Sequence, residues 1–422
     1  MISNIQLKKY FIVITLITIN YFSYGQYNSE FLNFDKTGRS VSINGEYEFG
    51  SNGIYNGLLN KFIVGGFIDQ KNKDASRNKM YNHNVIGANM NYDIAAFFGR
   101  NSKYSYLFSF KDQRVFNSTF TKDFYQLLFY GNKPYLDQTM NFGGSNINSL
   151  RFQEIKFGFI WHKIDSTAKA GISVSFIKGQ SLFYVKAKEG SSLYTNSDGT
   201  ELVFNSKFNM ALSDTSNKQN PFAFSGVGAS ADIFFETPYK SKIGKSSVLT
   251  VNANNLGFIH WFNNSLQYSS DSTFTFNGYH IDNLLDLKDS TLSSINQDSI
   301  INNTANAHRE AFNVNIPANL IIINKIIFTD KFALGTGFRY LFNSNFKPYG
   351  FMDFEYNFSK KFTSSLHVGY GGYSRLNVGL AFQYNTPGWY LKIGSNGLQG
   401  FILPNKTYGQ SAFVTIAKKF KN

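Results

Sequence analysis

Along much of this chain every second residue is apolar, the period that sends successive side chains to opposite faces of a strand. Val41, Ile43, Gly45, Tyr47 and Phe49 alternate with Ser42, Asn44, Glu46 and Glu48. Ile86, Ala88, Met90, Tyr92, Ile94, Ala96 and Phe98 share a face, with Asn89, Asn91 and Asp93 opposite. That run exceeds the usual strand of a globular protein and suits a tilted membrane strand of about 9–11 residues extended beyond the bilayer. Tyr104, Tyr106, Phe108 and Phe110 alternate with Lys103, Ser105, Ser109 and Lys111, and Asn60 to Ile68 alternates less clearly. The rhythm returns at Ala170 to Phe176 and Val227 to Phe235. It then crowds toward the end, from Phe332 to Phe342, Met352 to Phe358, Leu366 to Tyr370, Leu376 to Tyr384 and Trp389 to Ile393. Aromatic stripes backed by lysines do not suit a soluble sandwich. They predict an all-β, transmembrane, antiparallel up-and-down barrel of about fourteen strands.

Turn chemistry punctuates these segments: Asn52-Gly53, Asp198-Gly199, Pro348-Tyr349-Gly350, Gly371-Gly372 and Pro387-Gly388 supply turn or positive-φ positions. Three stretches break the rhythm and predict short helical or irregular inserts. Phe120 to Tyr130 has helical spacing and stops at Gly131-Asn132, which predicts a short amphipathic helix. Lys133 to Asn148 reads as irregular loop. Ser269 to Arg309 is a long polar excursion in which Ile281 to Ile301 has room for one or two short helices. The last segment alternates Ala412, Val414 and Ile416 with Ser411 and Thr415 and puts Phe420 near the end, although Lys418 falls on its apolar face.

The start of the chain adds an address. Lys8-Lys9, the apolar run Tyr10 to Phe22 and Ser23-Tyr24-Gly25 before Gln26 have the anatomy of a secretory signal peptide. The expected division is a signal peptide over 1–25 and a single outer-membrane barrel domain over 26–422, located in the cell outer membrane. Aromatics make up 18% of the residues, with 45 Phe and 26 Tyr, as the girdles of a barrel require. With 422 residues but only 7 prolines, and its 35 glycines dispersed, the chain shows no linker that would divide a soluble version into domains. There is no cysteine, which excludes a disulfide scaffold, a thiolate metal site and a cysteine nucleophile. The net charge of +14 is dispersed and falls to about +12 once Lys8 and Lys9 are removed. In an exported chain it points to outer-membrane lipid and lipopolysaccharide as partners, or to an anion-attracting lumen, and not to nucleic acid.

Site chemistry is sparse. No nucleotide, zinc or calcium motif occurs, and no cofactor is implied. Gly228-Ala229-Ser230-Ala231-Asp232 lacks the last glycine of a nucleophile elbow and lies inside an alternating strand. The histidines are dispersed; those beside tryptophan, His162 and His260, read as interfacial positions. An enzyme is therefore not expected. The candidate lumen-lining residues are Glu46, Glu48, Asn89, Asn91, Asp93, Lys103, Lys169, Arg339, Asp353 and Glu355, either as a structural ionic network or as a selectivity lining. Asn252, Asn254 and Asn255, running into Leu256-Gly257-Phe258, read as a strand ending in a turn, with a lateral opening as the functional alternative.

Three further pieces carry a resemblance: Leu127-Leu128-Phe129-Tyr130-Gly131-Asn132, Arg151-Phe152-Gln153-Glu154 and Asn255-Leu256-Gly257-Phe258-Ile259-His260-Trp261. Together with a cleavage point before Gln, they resemble an uncharacterised family of Bacteroidota outer-membrane barrels, known only as a domain of unknown function. The family is similar in build to the fatty-acid-channel barrels and to secretion-associated barrels of fourteen strands. The resemblance implies architecture and location, and no catalytic residue. The expected function is a channel or transporter for a small apolar or amphiphilic molecule. The alternative is a scaffold barrel that docks envelope or secretion-system proteins.

Overall fold

Each alternating segment becomes a strand whose two faces meet different surroundings. The computed structural model describes residues 38–99, 103–163, 168–214, 223–244, 246–276 and 306–420; the expected signal peptide and the candidate helices of 281–301 lie outside them. In chain order the elements begin β1 (Arg39–Ser51), α1 (Asn56–Val64), α2 (Gln70–Arg77), β2 (His83–Gly99), β3 (Tyr104–Thr121), α3 (Lys122–Tyr130), β4 (Gln138–Asn141) and β5 (Asn146–His162). There follow β6 (Lys169–Ala187), β7 (Ser192–Thr195), β8 (Leu202–Leu212), β9 (Gly226–Tyr239), β10 (Ser246–Trp261), β11 (Leu266–Phe276), β12 (Asn306–Arg309) and β13 (Phe312–Asn315). The chain ends with β14 (Ala318–Ile327), β15 (Phe332–Phe342), β16 (Lys347–Asn357), β17 (Phe362–Gly372), β18 (Leu376–Asn385), β19 (Trp389–Ser395), α4 (Gln399–Ile402) and β20 (Gly409–Phe420).

Fourteen of the strands form the wall, in the order β1-β2-β3-β5-β6-β9-β10-β14-β15-β16-β17-β18-β19-β20, each antiparallel to its neighbours. The wall closes where β20 returns to β1, in register from Arg39 opposite Phe420 to Gly50 opposite Gly409. Closure leaves no sheet edge in the wall, the condition for strands to stand in lipid. One end carries tight turns such as 358–361 and 386–388, together with Arg39 and Phe420. The other carries every long connection, including α1 to α4. There β4-β7-β8-β11-β12 build an antiparallel extension beyond the wall.

The outer face is apolar and bare. Phe157 is 55% exposed and its cross-strand partner Val174 60%, and Ile43, Ile94, Phe108, Ile233 and Phe382 are exposed on the same side of their strands. Their inward neighbours Asn44, Ser109, Lys156, Ser173 and Asp232 are buried. This inversion is that of a protein whose outward solvent is lipid. Among the described residues no helix is long and apolar enough to cross a membrane. Tyr104, Trp161, Tyr384, Trp389 and Phe420 are exposed at the tight-turn rim, where amphipathic rings suit a headgroup layer. Lys418, unexpected on the apolar face, lays its stem along this rim, with Nζ 4.5 Å from the centre of the Trp389 ring.

Four local expectations change. Asn60 to Ile68 is not a weak strand: helix α1 covers most of it and buries Leu58 and Leu59 on one side. The helix expected over Phe120 to Tyr130 starts at Lys122, because β3 runs on to Thr121, whose hydroxyl then caps the Phe124 amide at 3.1 Å. The loop expected over Lys133 to Asn148 contains a 3-10 turn at Lys133–Tyr135, strand β4 and the start of β5. The strand expected to end near Asn254 continues as β10 to Trp261 through a bulge.

Candidate functional site

That bulge organises the centre of the lumen. Between Ala253 and Leu256 the register with β9 slips, and Asn255 adopts φ +61°, a left-handed conformation that asparagine tolerates better than most residues. The Asn255 amide N–H donates to Asp232 Oδ1 at 2.8 Å, and its side chain donates to Gln113 Oε1 at 3.1 Å. Asp232 also receives the Ser173 hydroxyl at 2.8 Å and the Lys156 ammonium at 2.6 Å. Lys156 and Asp232 are at most 2% exposed. Burial of that depth demands pairing and full hydrogen bonding.

Around the wall the structure distributes the residues expected in the lumen as follows. Glu46 receives Asn91 at 3.0 Å, Glu48 receives Asn89 at 3.2 Å, and Asp93 receives Asn44 at 2.7 Å. Lys169 pairs with Glu236 at 3.5 Å and Glu355 with Lys325 at 2.5 Å. Asp353 holds His367 at 2.6 Å, and the other ring nitrogen of His367 meets the Tyr349 hydroxyl at 2.7 Å. Arg339 crosses the interior to Glu48 at 3.0 Å and stacks over Phe346. Lys103 is placed differently: it lies exposed in the turn before Tyr104, because β3 begins one residue later than its alternation does.

Lys156, Asp232 and Gln113 were not among the expected lining residues. Glu154 and Lys156 alternate with Ile155 and Phe157 as plainly as Glu46 and Glu48 do with Tyr47 and Phe49, so parity alone could have found them. The Trp–His pairs are also not simply interfacial. Trp161 is exposed while His162 turns inward to the Ser105 hydroxyl at 2.8 Å; His260 is exposed while Trp261 is fully buried. Each pair straddles the wall, as period two requires. The near-elbow at Gly228 lies in β9, where a Cβ on Gly228 would strike the Phe258 carbonyl oxygen. Among the described residues no cluster of three His, Asp or Glu could hold a metal ion.

Side chains close the long-loop half of the lumen. The β15–β16 turn places Asn345 against Asn117 Oδ1 at 2.9 Å and Asn146 Oδ1 at 2.5 Å, across the mouth. Behind it Leu341, Phe346, Tyr349, Phe351 and Tyr373 form a buried cluster. The Tyr373 ring occupies the space that a Cβ on Gly87 would need, and the Tyr349 hydroxyl end does the same at Gly369.

Among the described residues two sizeable cavities stand out, at opposite ends. Inside the tight-turn half lies a space of about 750 Å³ lined by Glu236, Lys325, Asp353, Glu355, Gln383 and Lys392, among others. At the long-loop end a cleft of about 310 Å³ is lined chiefly by Phe124 and Leu127 of α3, Phe142, Ile147, Val185, Phe204 and Phe208. Val185 and Phe208 share the outward side of their strands with Phe183 and Phe204, both exposed.

The model of a family of unknown function, DUF5723, matches residues 24–396. No curated protein matches. Among solved structures, a TodX deltaS2S3 mutant monoaromatic hydrocarbon channel is 10% identical, with 91% of this chain and 90% of that chain covered and a TM-score of 0.46. The P. putida toluene transporter TodX is 8% identical, with 90% and 88% covered and a TM-score of 0.40. A Pseudomonas aeruginosa FadL homologue is 8% identical, with 90% and 89% covered and a TM-score of 0.36.

Proposed function

The chain belongs to DUF5723, a family of unknown function, and from the barrel itself we propose an outer-membrane channel, closed at rest, that passes a small amphiphilic molecule. The bare apolar wall, the aromatic rim and the contrast of tight turns with long loops support the location. By the usual orientation of such barrels, the long loops face outward. Bacteroidota origin and kinship with fatty-acid channels, which the sequence resemblance implies, belong to the same proposal.

One observation carries the transport reading. An apolar cleft on the outward side of the strands at the long-loop end and a polar cavity inside the tight-turn half are separated by the wall and by a lumen crossed by paired side chains. A general porin keeps a continuous water channel. Here ions meet a closed interior, whereas a molecule with an apolar tail has a cleft of the size that binds small ligands. Passage then requires the plug to move. Purified barrel in liposomes should take up a medium-chain carboxylate faster than empty vesicles do, and Leu127→Asp in the cleft should lower that rate about tenfold. Equal rates for wild type and empty vesicles across all ligand classes would contradict the reading.

The β4-β7-β8-β11-β12 extension favours a second reading. Among the described residues β4 and β12 each pair on one side only, and an open strand edge can accept a partner's strand. This is the scaffold alternative. Recovery of a stoichiometric envelope protein after cross-linking would support it, and a barrel recovered alone would count against it.

A further inference from the structure

Helices α1 and α4 lie against the outside of the wall at the long-loop end. Tyr47 and Phe49 on β1 and Ile86 and Ala88 on β2 point outward, and Leu58 and Leu59 of α1 pack over them. Gln410, outward on β20, donates to the Tyr47 hydroxyl at 3.1 Å. The Asn56 amide at the start of α1 donates to the Thr407 carbonyl at 2.9 Å, which brings α1 beside the α4 segment. The free side of this pair is apolar. Phe62, Ile63, Val64 and Phe67 are 58%, 56%, 72% and 84% exposed, and Phe401, Ile402 and Leu403 are 47%, 65% and 50% exposed. Single exposed apolar residues need no explanation, but a contiguous shelf of them does.

The shelf is built, not frayed. Lys61 Nζ donates to the Phe67 carbonyl at 2.5 Å and to Asp69 at 2.9 Å, tying the 62–67 segment back to α1. Gly65 (φ +83°) and Gly66 (φ +131°) make the turn that presents Phe67. Cations flank it: Lys71 and Lys79 on and beside α2, and Lys406 three residues past Leu403, all exposed. The nearby carboxylates are already engaged. Asp69 holds Lys61 and caps α2, while Asp74 receives the Tyr130 hydroxyl at 2.7 Å and pairs with Arg77 at 3.3 Å.

An apolar shelf continuous with the lipid-facing wall, edged by cations that the local carboxylates do not neutralise, matches a lipid with several acyl chains and exposed phosphates. We propose that the α1–α4 shelf seats a bis-phosphorylated, multi-acyl glycolipid of the lipopolysaccharide kind. Its acyl chains lie on Phe62, Val64, Phe67 and Ile402, and its phosphates meet Lys71, Lys79 and Lys406. This inference rests on the outer-membrane reading, since it needs the shelf at the bilayer surface.

The chain has no cysteine, so Val64→Cys carrying a polarity-sensitive fluorophore reports on the shelf alone. The full-length labelled barrel, in nanodiscs of neutral phospholipid, is titrated with bis-phosphorylated lipid A and with its dephosphorylated form. The expected result is a saturable blue shift with the phosphorylated lipid. Lys71→Glu with Lys406→Glu should weaken it about tenfold or more, and Phe62→Asp with Phe67→Asp should weaken it at least about tenfold. An equal response to both lipids, no response, or a shift already present before lipid is added together with a cross-linked dimer would overturn the proposal. The dimer would assign the shelf to a second copy. A folded, heat-modifiable barrel that gives any of these results sinks the lipid seat alone. A chain that never enters the nanodisc as a barrel sinks the membrane reading and the seat with it.

Discussion

Glu48 on β1 and Arg339 on β15 stand six strands apart around the wall, yet their side chains meet at 3.0 Å inside it, 12% and 5% exposed. The pair is a strut across the lumen. With Phe346 beneath the guanidinium and Asn319 accepting its Nε–H at 3.2 Å, it closes a path that the wall alone would leave open.

Removing one end of the strut should therefore do two things. Arg339→Leu leaves Glu48 buried and uncompensated, at a cost of about 3–5 kcal/mol. Joint replacement by Glu48→Gln and Arg339→Leu should recover part of that loss. Denaturant midpoints read by heat-modifiable gel mobility measure the stability, and planar-bilayer recording should show higher ion leakage for the single variant than for wild type.

The bulge separates backbone from side-chain demands. Asn255→Gly keeps the left-handed backbone and loses the bond to Gln113, costing about 1 kcal/mol. Asn255→Val must also force a β-branched residue to φ +61°, adding about 1–2 kcal/mol. If the two variants unfold at the same denaturant concentration, the backbone account of the bulge is wrong.

Charge should be tolerated on one face of the wall and not on the other. Val174→Arg puts a guanidinium on the lipid side and is expected to cost about 2–4 kcal/mol near the midplane. Gln383→Arg faces the 750 Å³ cavity and should cost much less. Equilibrium unfolding from lipid vesicles compares them directly.

The α1–α2 turn predicts a local acid transition. The Lys61 ammonium and the Asn72 amide hold the Asp69 carboxyl down from its ordinary 3.8 to about 2. A lowered pKa means that its contribution is complete above pH 4 and is lost as pH falls from about 4 to 2. Hydrogen exchange of Gln70–Arg77 should rise over that window. High salt should blunt the effect, since the pair is partly exposed. Asp69→Asn should raise exchange at neutral pH and abolish the acid step.

The wall was readable where lipid and lumen impose a strict period of two over long runs: eleven of its strands, and the lumen-facing side of Glu46, Asn91 and Asp93, follow from parity, whereas β5 and β14 do not stand out as alternating runs over their full length and β10 looked like a strand that ends. Contacts between strands distant in the order do not. Nothing near Arg339 in the sequence announces Glu48, and nothing near Asn345 announces Asn117. Helix α1 was obscured because Leu58 and Leu59 pack on one side while Phe62 and Ile63 are exposed on the other, so no polar face marks its period. The six strands outside the wall are mostly short or polar, and their pairing was settled by partners far along the chain. Asn255 looked like a strand end because Asn and Gly are also turn formers; the bulge uses the same residues to bend a strand that continues.

The most direct measurement is a paired one on a single preparation: ion conductance of the wild-type barrel in planar bilayers, and uptake of a medium-chain carboxylate into proteoliposomes. A channel closed at rest that passes an amphiphile should give conductance near the bare-bilayer level together with uptake above empty vesicles. A large steady ion conductance, or no uptake of any amphiphile, would contradict it.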